Sequence, residues 1–315
     1  MEHSISRIGP RSVGLVCTTA LLGIGLTGAV DSAAGAGPVT NAAAGEAVQV
    51  RADFNADGFA DLAIGVPYED QAAVNDGAVN VIYGTANGLS PAGNQVWSQN
   101  SAGIGGVAEA GDLFGFSLAS ADFNGDGYTD LAVGVPGEDQ AGTNDGAVNV
   151  IYGSAGCLTA AGNQVWYQDS AGIGGVAESG DRFGYSLATA NFGRSGHADL
   201  AVGVPGEDQA ATDDGAVNVI YGSAAGLTAG GNQVWSQNSA GIGGVAEAGD
   251  QFGYSLAAAN FGRSSHADLA VGVPFEDQAA VNDGAVNVIY GTANGLSSAG
   301  NQVWSQNSAG IGGVA

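Results

Sequence analysis

Two nine-residue segments carry oxygen-bearing side chains at a spacing suited to a hard cation. Each has carboxylate or amide side chains at positions 1, 3, 5 and 9 and a glycine at position 6. Ca²⁺ binds several oxygen ligands, and glycine permits the sharp turn that brings both halves of a loop onto one ion. We therefore predict about two Ca²⁺ sites, with a backbone carbonyl at position 7 of each. The predicted ligands are Asp53, Asn55, Asp57, Phe59 and Asp61 in the first loop and Asp122, Asn124, Asp126, Tyr128 and Asp130 in the second.

These segments differ from the helix-loop-helix calcium hand. That motif needs a glutamate at position 12, where this chain has Ile64 and Val133 in apolar runs. The pattern favours a loop between two strands. An acidic β-turn that binds no metal is the alternative interpretation.

The corresponding loops of the third and fourth units have lost most of these ligands. Asn191–Asp199 and Asn260–Asp268 lack the carboxylates at positions 1 and 5. We predict no calcium in either loop. The third and fourth loops each contain an arginine, Arg194 and Arg263, which the first two loops lack. The hypothesis is that its guanidinium replaces the ion by pairing with the aspartate at position 9.

The same phrases recur along the chain at a fixed interval. DLAIGVP begins at Asp61, and DLAVGVP begins at Asp130, Asp199 and Asp268, each start 69 residues after the previous one. Every unit contains four short segments separated by Gly, Asn and Asp: one that alternates, one compact apolar run, one rich in β-branched and aromatic residues, and one with a mixed face. None has a sustained helical period. Repeated four-stranded units predict an all-β fold, a β-propeller in which each unit is one blade.

Two short motifs within the repeat resemble those of a known family. Phe-Gly opens a unit and Gly-Val-Pro follows its second strand, at Phe114 and Gly134, Phe183 and Gly203, and Phe252 and Gly272. This combination resembles the FG-GAP repeat, which is found in the integrin α-subunit propeller and in the propeller of glycosylphosphatidylinositol-specific phospholipase D. The resemblance covers about residues 47–315 and implies a propeller of four-stranded blades with calcium-binding loops between strands.

The first unit departs from the family pattern, because Gly45-Glu46 stands where Phe-Gly is expected. FG-GAP propellers commonly have seven blades. The resemblance therefore leaves three forms open for four units: a closed small ring, an open arc completed by a partner chain, or a fragment of a seven-bladed ring. Self-association that completes the propeller is one expectation.

The N-terminus has the pattern of a secretory signal. Arg7 and Arg11 precede an apolar run over 13–30, and Ala34-Gly35-Ala36 resembles a cleavage site. We predict a signal peptide over 1–36, a short linker over 37–46 and repeats over 47–315, with blades at about 47–108, 109–177, 178–246 and 247–315. The expected location is extracellular or at the cell surface, with no membrane span after signal removal.

The charge balance excludes one class of partner. Thirty-one Asp and Glu residues face six arginines, and the formal net charge is -25. Nucleic acids are bound through Lys and Arg, so we predict no nucleic-acid partner. The acidic loops between second and third strands, beginning at Glu69, Glu138, Glu207 and Glu276, are a candidate binding face for an extracellular protein or glycan, or else simply solvated turns.

The chain lacks the marks of an enzyme. His197 and His266 follow the predicted cleavage site, but neither has a catalytic partner at a recognisable spacing. The acids recur in every unit, whereas an active site is usually built once. We predict a non-catalytic, calcium-binding adhesion or recognition module. The alternatives are an accessory propeller of a larger secreted hydrolase, of a phospholipase or esterase type, and a lectin-like carbohydrate binder.

Overall fold

A computed structural model describes residues 48–278 and 280–312, and no helix, membrane-spanning or otherwise, occurs in these ranges. The expected signal peptide and linker lie outside the described residues. The strands are β1 (Val48–Ala52), β2 (Asp61–Val66), β3 (Ala78–Tyr83), β4 (Ser90–Trp97), β5 (Ser117–Ala121), β6 (Asp130–Val135), β7 (Ala147–Tyr152), β8 (Thr159–Trp166), β9 (Ser186–Ala190), β10 (Asp199–Val204), β11 (Ala216–Ser223), β12 (Gly226–Trp235), β13 (Ser255–Ala259), β14 (Asp268–Val273), β15 (Ala285–Thr292) and β16 (Gly295–Trp304).

Each consecutive set of four strands forms one antiparallel sheet in chain order. We call these sheets blade one (β1–β4), blade two (β5–β8), blade three (β9–β12) and blade four (β13–β16). The β-branched runs pair along the middle of each sheet, as where Leu62 of β2 lies opposite Ile82 of β3. The pairing of β3 with β4 is irregular between Val81 and Tyr83, and the other blades repeat this bulge. The predicted all-β class and four-stranded units are confirmed.

Neighbouring blades share their hydrophobic cores. The inner strand β1 lies beside β5, β5 beside β9, and β9 beside β13. Three buried clusters each draw side chains from two adjacent blades. Fully burying a large apolar side chain contributes about 1.5–3 kcal/mol, so the junctions between blades carry much of the stability.

Glycines of the Gly-Val-Pro and Phe-Gly motifs meet at each junction. A Cβ placed on Gly65 would lie 2.0 Å from the carbonyl oxygen of Gly115, and one on Gly134 would lie 2.1 Å from that of Gly184. Gly115 also has a φ of +90°, which side-chain-bearing residues rarely adopt. Gly-Val-Pro of one blade and Phe-Gly of the next are therefore the two halves of one backbone contact.

The four blades form an open arc. No packing comparable to the other junctions joins β13 to β1 in the described part of the chain. Phe261 in blade four is 52% exposed, whereas its counterparts Phe54, Phe123 and Phe192 are fully buried under a following blade. The described residues therefore do not form the closed small ring, and the other two forms stay predictions.

Candidate metal centre and the surrounding loops

The first acidic loop connects β1 to β2, where the inner strand turns back. Asp61 starts β2 and is buried, and its carboxylate accepts the backbone N–H of Phe54 at 2.8 Å and that of Gly84 at 2.8 Å. One bond closes the loop, and the other ties it to the end of β3. In blade two, Asp130 accepts the corresponding bonds from Phe123 and Gly153.

The remaining predicted ligands of the first loop accept hydrogen bonds from the backbone of that loop. Asp53 accepts the N–H groups of Asp57 at 3.0 Å and Gly58 at 2.9 Å. The amide oxygen of Asn55 accepts the N–H of Asp57 at 3.1 Å, and Asp57 accepts that of Phe59 at 2.9 Å. Gly58 has a φ of +88°, which permits the turn.

The second loop repeats this arrangement. Asp122 accepts the N–H groups of Asp126 at 3.2 Å and Gly127 at 2.9 Å, and Asn124 accepts that of Asp126 at 3.0 Å. Asp126 in turn accepts the N–H of Tyr128 at 2.9 Å. In both loops the side chains at positions 1, 3 and 5 thus accept backbone N–H groups of the loop, and the residue at position 7 donates its backbone N–H.

The carboxylates of each loop are close enough to influence one another. The pKa of Asp61 is raised to about 6, chiefly by burial and in smaller part by the negative charges of Asp53 and Asp57, against two backbone hydrogen bonds that lower it. Asp130 has its pKa raised to about 7, again chiefly by burial, with Asp122 and Asp126 adding to the shift. Two such loops concentrate negative charge at one edge of the arc.

The donor set fits a hard divalent cation. All side-chain donors at positions 1, 3, 5 and 9 are oxygens, and a carboxylate oxygen that accepts one N–H retains a second lone pair for a metal. No group of three His, Cys, Asp or Glu side chains converges into a finished metal site within the described ranges. Some rearrangement of the loop side chains would therefore accompany cation binding.

The third and fourth loops are closed by hydrogen bonds of an amide and a hydroxyl. In blade three, the side chain of Asn191 donates to the carbonyl of Ser195 at 3.0 Å and accepts the N–H of Gly193 at 3.0 Å. Ser195 also donates its hydroxyl to the carbonyl of Gly222 at 3.2 Å. Asn260 and Ser264 make the same bonds in blade four. An amide and a hydroxyl thus replace the carboxylates lost at positions 1 and 5.

The arginines of these loops do not make the ion pairs expected from the sequence. The guanidinium of Arg194 lies over the ring of Tyr221, 4.7 Å from its centroid, and that of Arg263 lies 4.1 Å from the centroid of Tyr290. Asp199 instead accepts the backbone N–H groups of Phe192 and Gly222. The stem of Arg194 leaves the loop in the direction of the aromatic ring, so its charge lowers the pKa of Asp199 only as a minor contribution against burial.

All four loops lie along one edge of the arc, each bonded to the next. The carbonyl of Asp53 accepts the N–H of Thr129 at 3.2 Å, and that of Asp122 accepts the N–H of Ala198 at 3.3 Å. The imidazole of His197 lies against Gly125 of the second acidic loop. A change in the conformation of one loop would therefore act on the next loop through this hydrogen bond.

The loops between second and third strands are largely occupied by internal contacts. Asp76 is buried and accepts the N–H groups of Gln71, Ala72 and Ala73. Burial alone would raise the pKa of Asp76, but these backbone donors outweigh it, and the pKa lies below its usual value. Asp145 and Asp214 have the same role in the next blades. The last aspartate of each such loop is thus a turn-forming residue, while Asp70 and its counterparts remain exposed.

A buried contact in these loops was missed by the sequence analysis. The side-chain amide of Gln99, in the connection leaving blade one, donates to the carboxylate of Glu138 in blade two, and Gln168–Glu207 and Gln237–Glu276 repeat it. Asp112 lies nearby, and its pKa is raised to about 7 by burial and then by Glu138 and Glu109. The feature of the sequence that could have indicated this contact is the constant spacing of 39 residues between the Gln and the Glu of each pair.

Comparison with known proteins identifies the repeat. The FG-GAP repeat family model matches residues 44–82 and 114–151, and these stretches contain both complete acidic loops. The chain carries FG-GAP repeats, and its four-stranded sheets are propeller blades of that type.

Individual relatives fall into two groups. Phosphatidylinositol-glycan-specific phospholipase D of Bos taurus is 34% identical over 178 residues, covering 56% of this chain and 20% of the relative. Integrin alpha-V of Gallus gallus is 32% identical over 224 residues, covering 70% of this chain and 19% of the relative. Integrin alpha-3 of Cricetulus griseus is 32% identical over 154 residues, covering 48% of this chain and 13% of the relative. The chain thus spans a fifth or less of the length of these relatives.

Proposed function

We propose that this chain is a calcium-stabilised, extracellular recognition module without catalytic activity. The observation that carries the proposal is the pair of complete acidic loops, in which the side-chain oxygens at positions 1, 3 and 5 accept hydrogen bonds from the backbone of their own loop. Ca²⁺ held by Asp53, Asn55, Asp57, Asp61 and the carbonyl of Phe59 would neutralise carboxylates that otherwise repel each other. The second loop would hold an equivalent ion.

The proposed role of the cation is structural. Each loop is bonded to the next blade, so an ion that rigidifies the loop also supports the junction. A ligand that binds only the folded state raises the free energy of unfolding, by about 2.7 kcal/mol when its concentration is 100 times its dissociation constant. Blades three and four would gain nothing directly, because their loops close through Asn and Ser.

Calorimetric titration of the full chain with Ca²⁺ tests this proposal. We expect about two sites, and we expect Asp57→Asn and Asp126→Asn each to remove one, because each deletes a charged ligand at an exposed position. The matched control is Asp169→Asn, which removes one exposed charge and restores the Asn found at this place in the other units, as at Asn100. Four equal sites, no site, or an equal loss in the control would contradict the proposal.

The absence of catalysis is proposed from the repetition of the acidic groups and from the surroundings of the histidines. The ring of His197 lies against Gly125 of the second acidic loop, and the backbone N–H of His197 donates to the hydroxyl of Ser195. We expect no hydrolysis of phosphatidylinositol-glycan or simple ester substrates by the purified chain. Turnover that survives repurification would overturn the proposal.

One alternative has a specific observation in its favour. The phospholipase of Bos taurus aligns with this chain over 20% of its own length, so a propeller of this kind can accompany a hydrolase. In that role the module would bind a surface for a catalytic partner. Protein and glycan arrays probed with the full chain, with Ca²⁺ and with EDTA, test recognition directly. Calcium-dependent capture is expected, and identical weak binding with both would argue against a recognition role.

A further inference from the structure

The second acidic loop has an imidazole of blade three as its neighbour. The ring of His197 lies so close to Gly125 that a Cβ placed on this glycine would stand 2.6 Å from both Nδ1 and Cε1 of the ring. The residue after the histidine, Ala198, donates its N–H to the carbonyl of Asp122 at 3.3 Å. A side chain with two nitrogen atoms therefore lies against the loop that contains the proposed metal ligands of blade two.

The ring of the histidine, and not the backbone conformation, explains the glycine at position 4 of this loop. Gly125 has a φ of +74°. The equivalent residues of the other loops carry side chains at similar values, 54° at Ala56, 67° at Arg194 and 72° at Arg263. In the second loop, however, a Cβ would collide with the imidazole, because 2.6 Å is well below a van der Waals contact of about 3.5 Å. The glycine thus makes room for His197.

The imidazole of His197 is free to bind a cation. The residue is half-buried, and neither of its ring nitrogens hydrogen-bonds to another residue in the part of the chain that the structure describes. Gly125 and Asp126 are exposed, so an ion can enter this loop from solvent. An imidazole nitrogen together with carboxylate oxygens is a donor set typical of Zn²⁺, which takes fewer ligands than Ca²⁺.

We propose that His197 is a ligand of the cation in the second loop, and that it makes this loop, unlike the first, a site for a transition-metal ion such as Zn²⁺. The carboxylates of Asp122 and Asp126 would supply oxygen ligands, and the imidazole would supply nitrogen from the neighbouring blade. The ion would then connect blade two to blade three. This inference rests on the cation site proposed above for the second loop.

The chain itself contains two comparisons for this site. Beside the first loop, Tyr128 occupies the position that His197 has beside the second. Beside the third loop lies the equivalent histidine, His266, and the N–H of Ala267 donates to the carbonyl of Asn191 at 3.0 Å. That loop lacks the carboxylates at positions 1 and 5. Within the described ranges, an imidazole and the pair of loop carboxylates therefore coincide at the second loop.

Imidazole ¹⁵N chemical shifts of the full chain during titration with ZnCl₂ identify the ligand directly. The spectra are recorded at about pH 7.5, because a metal binds the neutral imidazole. We expect a ring nitrogen of His197 to shift with the first equivalent of Zn²⁺ and those of His266 to stay unchanged. The variant His197→Phe assigns the signals, and phenylalanine already occupies this loop position at Phe59. An unshifted His197, or equal shifts of both histidines, would overturn the proposal.

Calorimetric titrations with Zn²⁺ and with Ca²⁺ distinguish metal ligation from a merely structural role. His197→Phe should weaken Zn²⁺ binding at least about tenfold and leave the two Ca²⁺ sites in place, because the loop oxygens remain. His266→Phe is the matched control and should change neither. Gly125→Ala keeps every ligand but puts a methyl group against the ring, so it should also weaken Zn²⁺ binding. Circular dichroism checks that the variants fold, and either of the two site variants suffices for the test.

Asp126→Asn connects the imidazole to the loop carboxylates. This change should abolish the Zn²⁺-dependent shift of His197, because both side chains bind the same ion. Ca²⁺ binding in the second loop, combined with Zn²⁺ binding that neither His197→Phe nor Gly125→Ala affects, would overturn this inference alone. A second loop that binds neither ion would overturn the proposed cation site as well.

Discussion

Asp61 and Gly84 lie 23 residues apart and are joined by a 2.8 Å hydrogen bond from the backbone N–H of Gly84 to the carboxylate of Asp61. All four blades have this bond, at Asp130 with Gly153, Asp199 with Gly222 and Asp268 with Gly291. The aspartate at position 9 is therefore a structural residue of every blade, whether or not its loop has the other metal ligands.

We predict that Asp199→Ala destabilises the fold by about 1–3 kcal/mol, because the change leaves two backbone N–H groups of the loop without their acceptor. Urea denaturation in EDTA and in CaCl₂ should give the same loss, since this loop has no predicted metal. Asp61→Ala should cause a similar loss in EDTA and a larger one in CaCl₂. If the loss in Asp199→Ala depended on calcium, the third loop would have to be a metal site.

We predict that Gly203→Ala weakens the junction between blades three and four. The new Cβ would lie 2.1 Å from the carbonyl oxygen of Gly253, and forcing extra volume into a packed site typically costs about 1–3 kcal/mol. Gly196→Ala is the matched control, because nothing lies within 4 Å of its Cβ and its backbone is not in the left-handed region. Thermal unfolding of the two variants should separate them clearly. Equal stability would show that the junction can adjust to the added methyl group.

We predict that Arg194→Ala destabilises blade three by about 0.5–2 kcal/mol, equally in EDTA and in CaCl₂, because the guanidinium loses its contact with the ring of Tyr221. Backbone strain does not confound this comparison, since alanine already occupies the same loop position at Ala56 with a φ of 54°. Arg194→Lys should retain part of the stability. Denaturant unfolding measures both variants, and a loss seen only in CaCl₂ would contradict the ring contact as the cause.

We predict that stability falls as pH rises from about 4 to about 7, in part through Asp112 and Asp181. Burial raises the pKa of both carboxyls to about 7, and Glu138 and Glu207 respectively add to the shift. The folded state then holds protons that the unfolded state has released, so the stabilisation is complete below the ordinary pKa of 3.8 and is lost as pH rises through about 7.

Asn substitution tests this contribution, because an amide resembles the protonated acid and can still accept the N–H of Glu109 or Glu178. The double change Asp112→Asn and Asp181→Asn should flatten the dependence of the unfolding free energy on pH between about 5 and about 8, with the larger gain at the upper end. Urea titrations across this range, in EDTA, provide the measurement. An unchanged slope would mean that other groups control the pH response.

The sequence was sufficient to predict the blades and the acidic loops because both depend on local patterns. The 69-residue repeat and the β-branched runs predicted four-stranded units, and the pattern from Asp53 to Asp61 predicted a loop between two strands, whose metal ligands stay a prediction. The stacking of Arg194 on Tyr221 was not predictable in the same way. Arg194 and Tyr221 are 27 residues apart in the chain and meet through the curvature of the sheet. The prediction from the sequence considered charge alone, and it therefore paired the guanidinium with the nearer carboxylate of Asp199.

The arc and the buried Gln–Glu contacts depended on relations between units. Whether blade four meets blade one depends on the rotation from each blade to the next, and the repeated sequence motifs do not indicate that rotation. Gln99 and Glu138 each resemble ordinary surface residues within their own unit. Only the approach of two blades buries them together.

Each of the three hydrophobic clusters spans two blades, and this arrangement governs how the molecule comes apart. A blade in the middle of the arc is supported from both sides, whereas blade four is supported from one. Stability in such arrays is approximately a sum of unit and nearest-neighbour contributions. We therefore expect melting of the described arc to start at blades one and four and to move inward. We expect the slowest amide hydrogen exchange in β6, β7, β10 and β11, whose residues are buried along almost their full length.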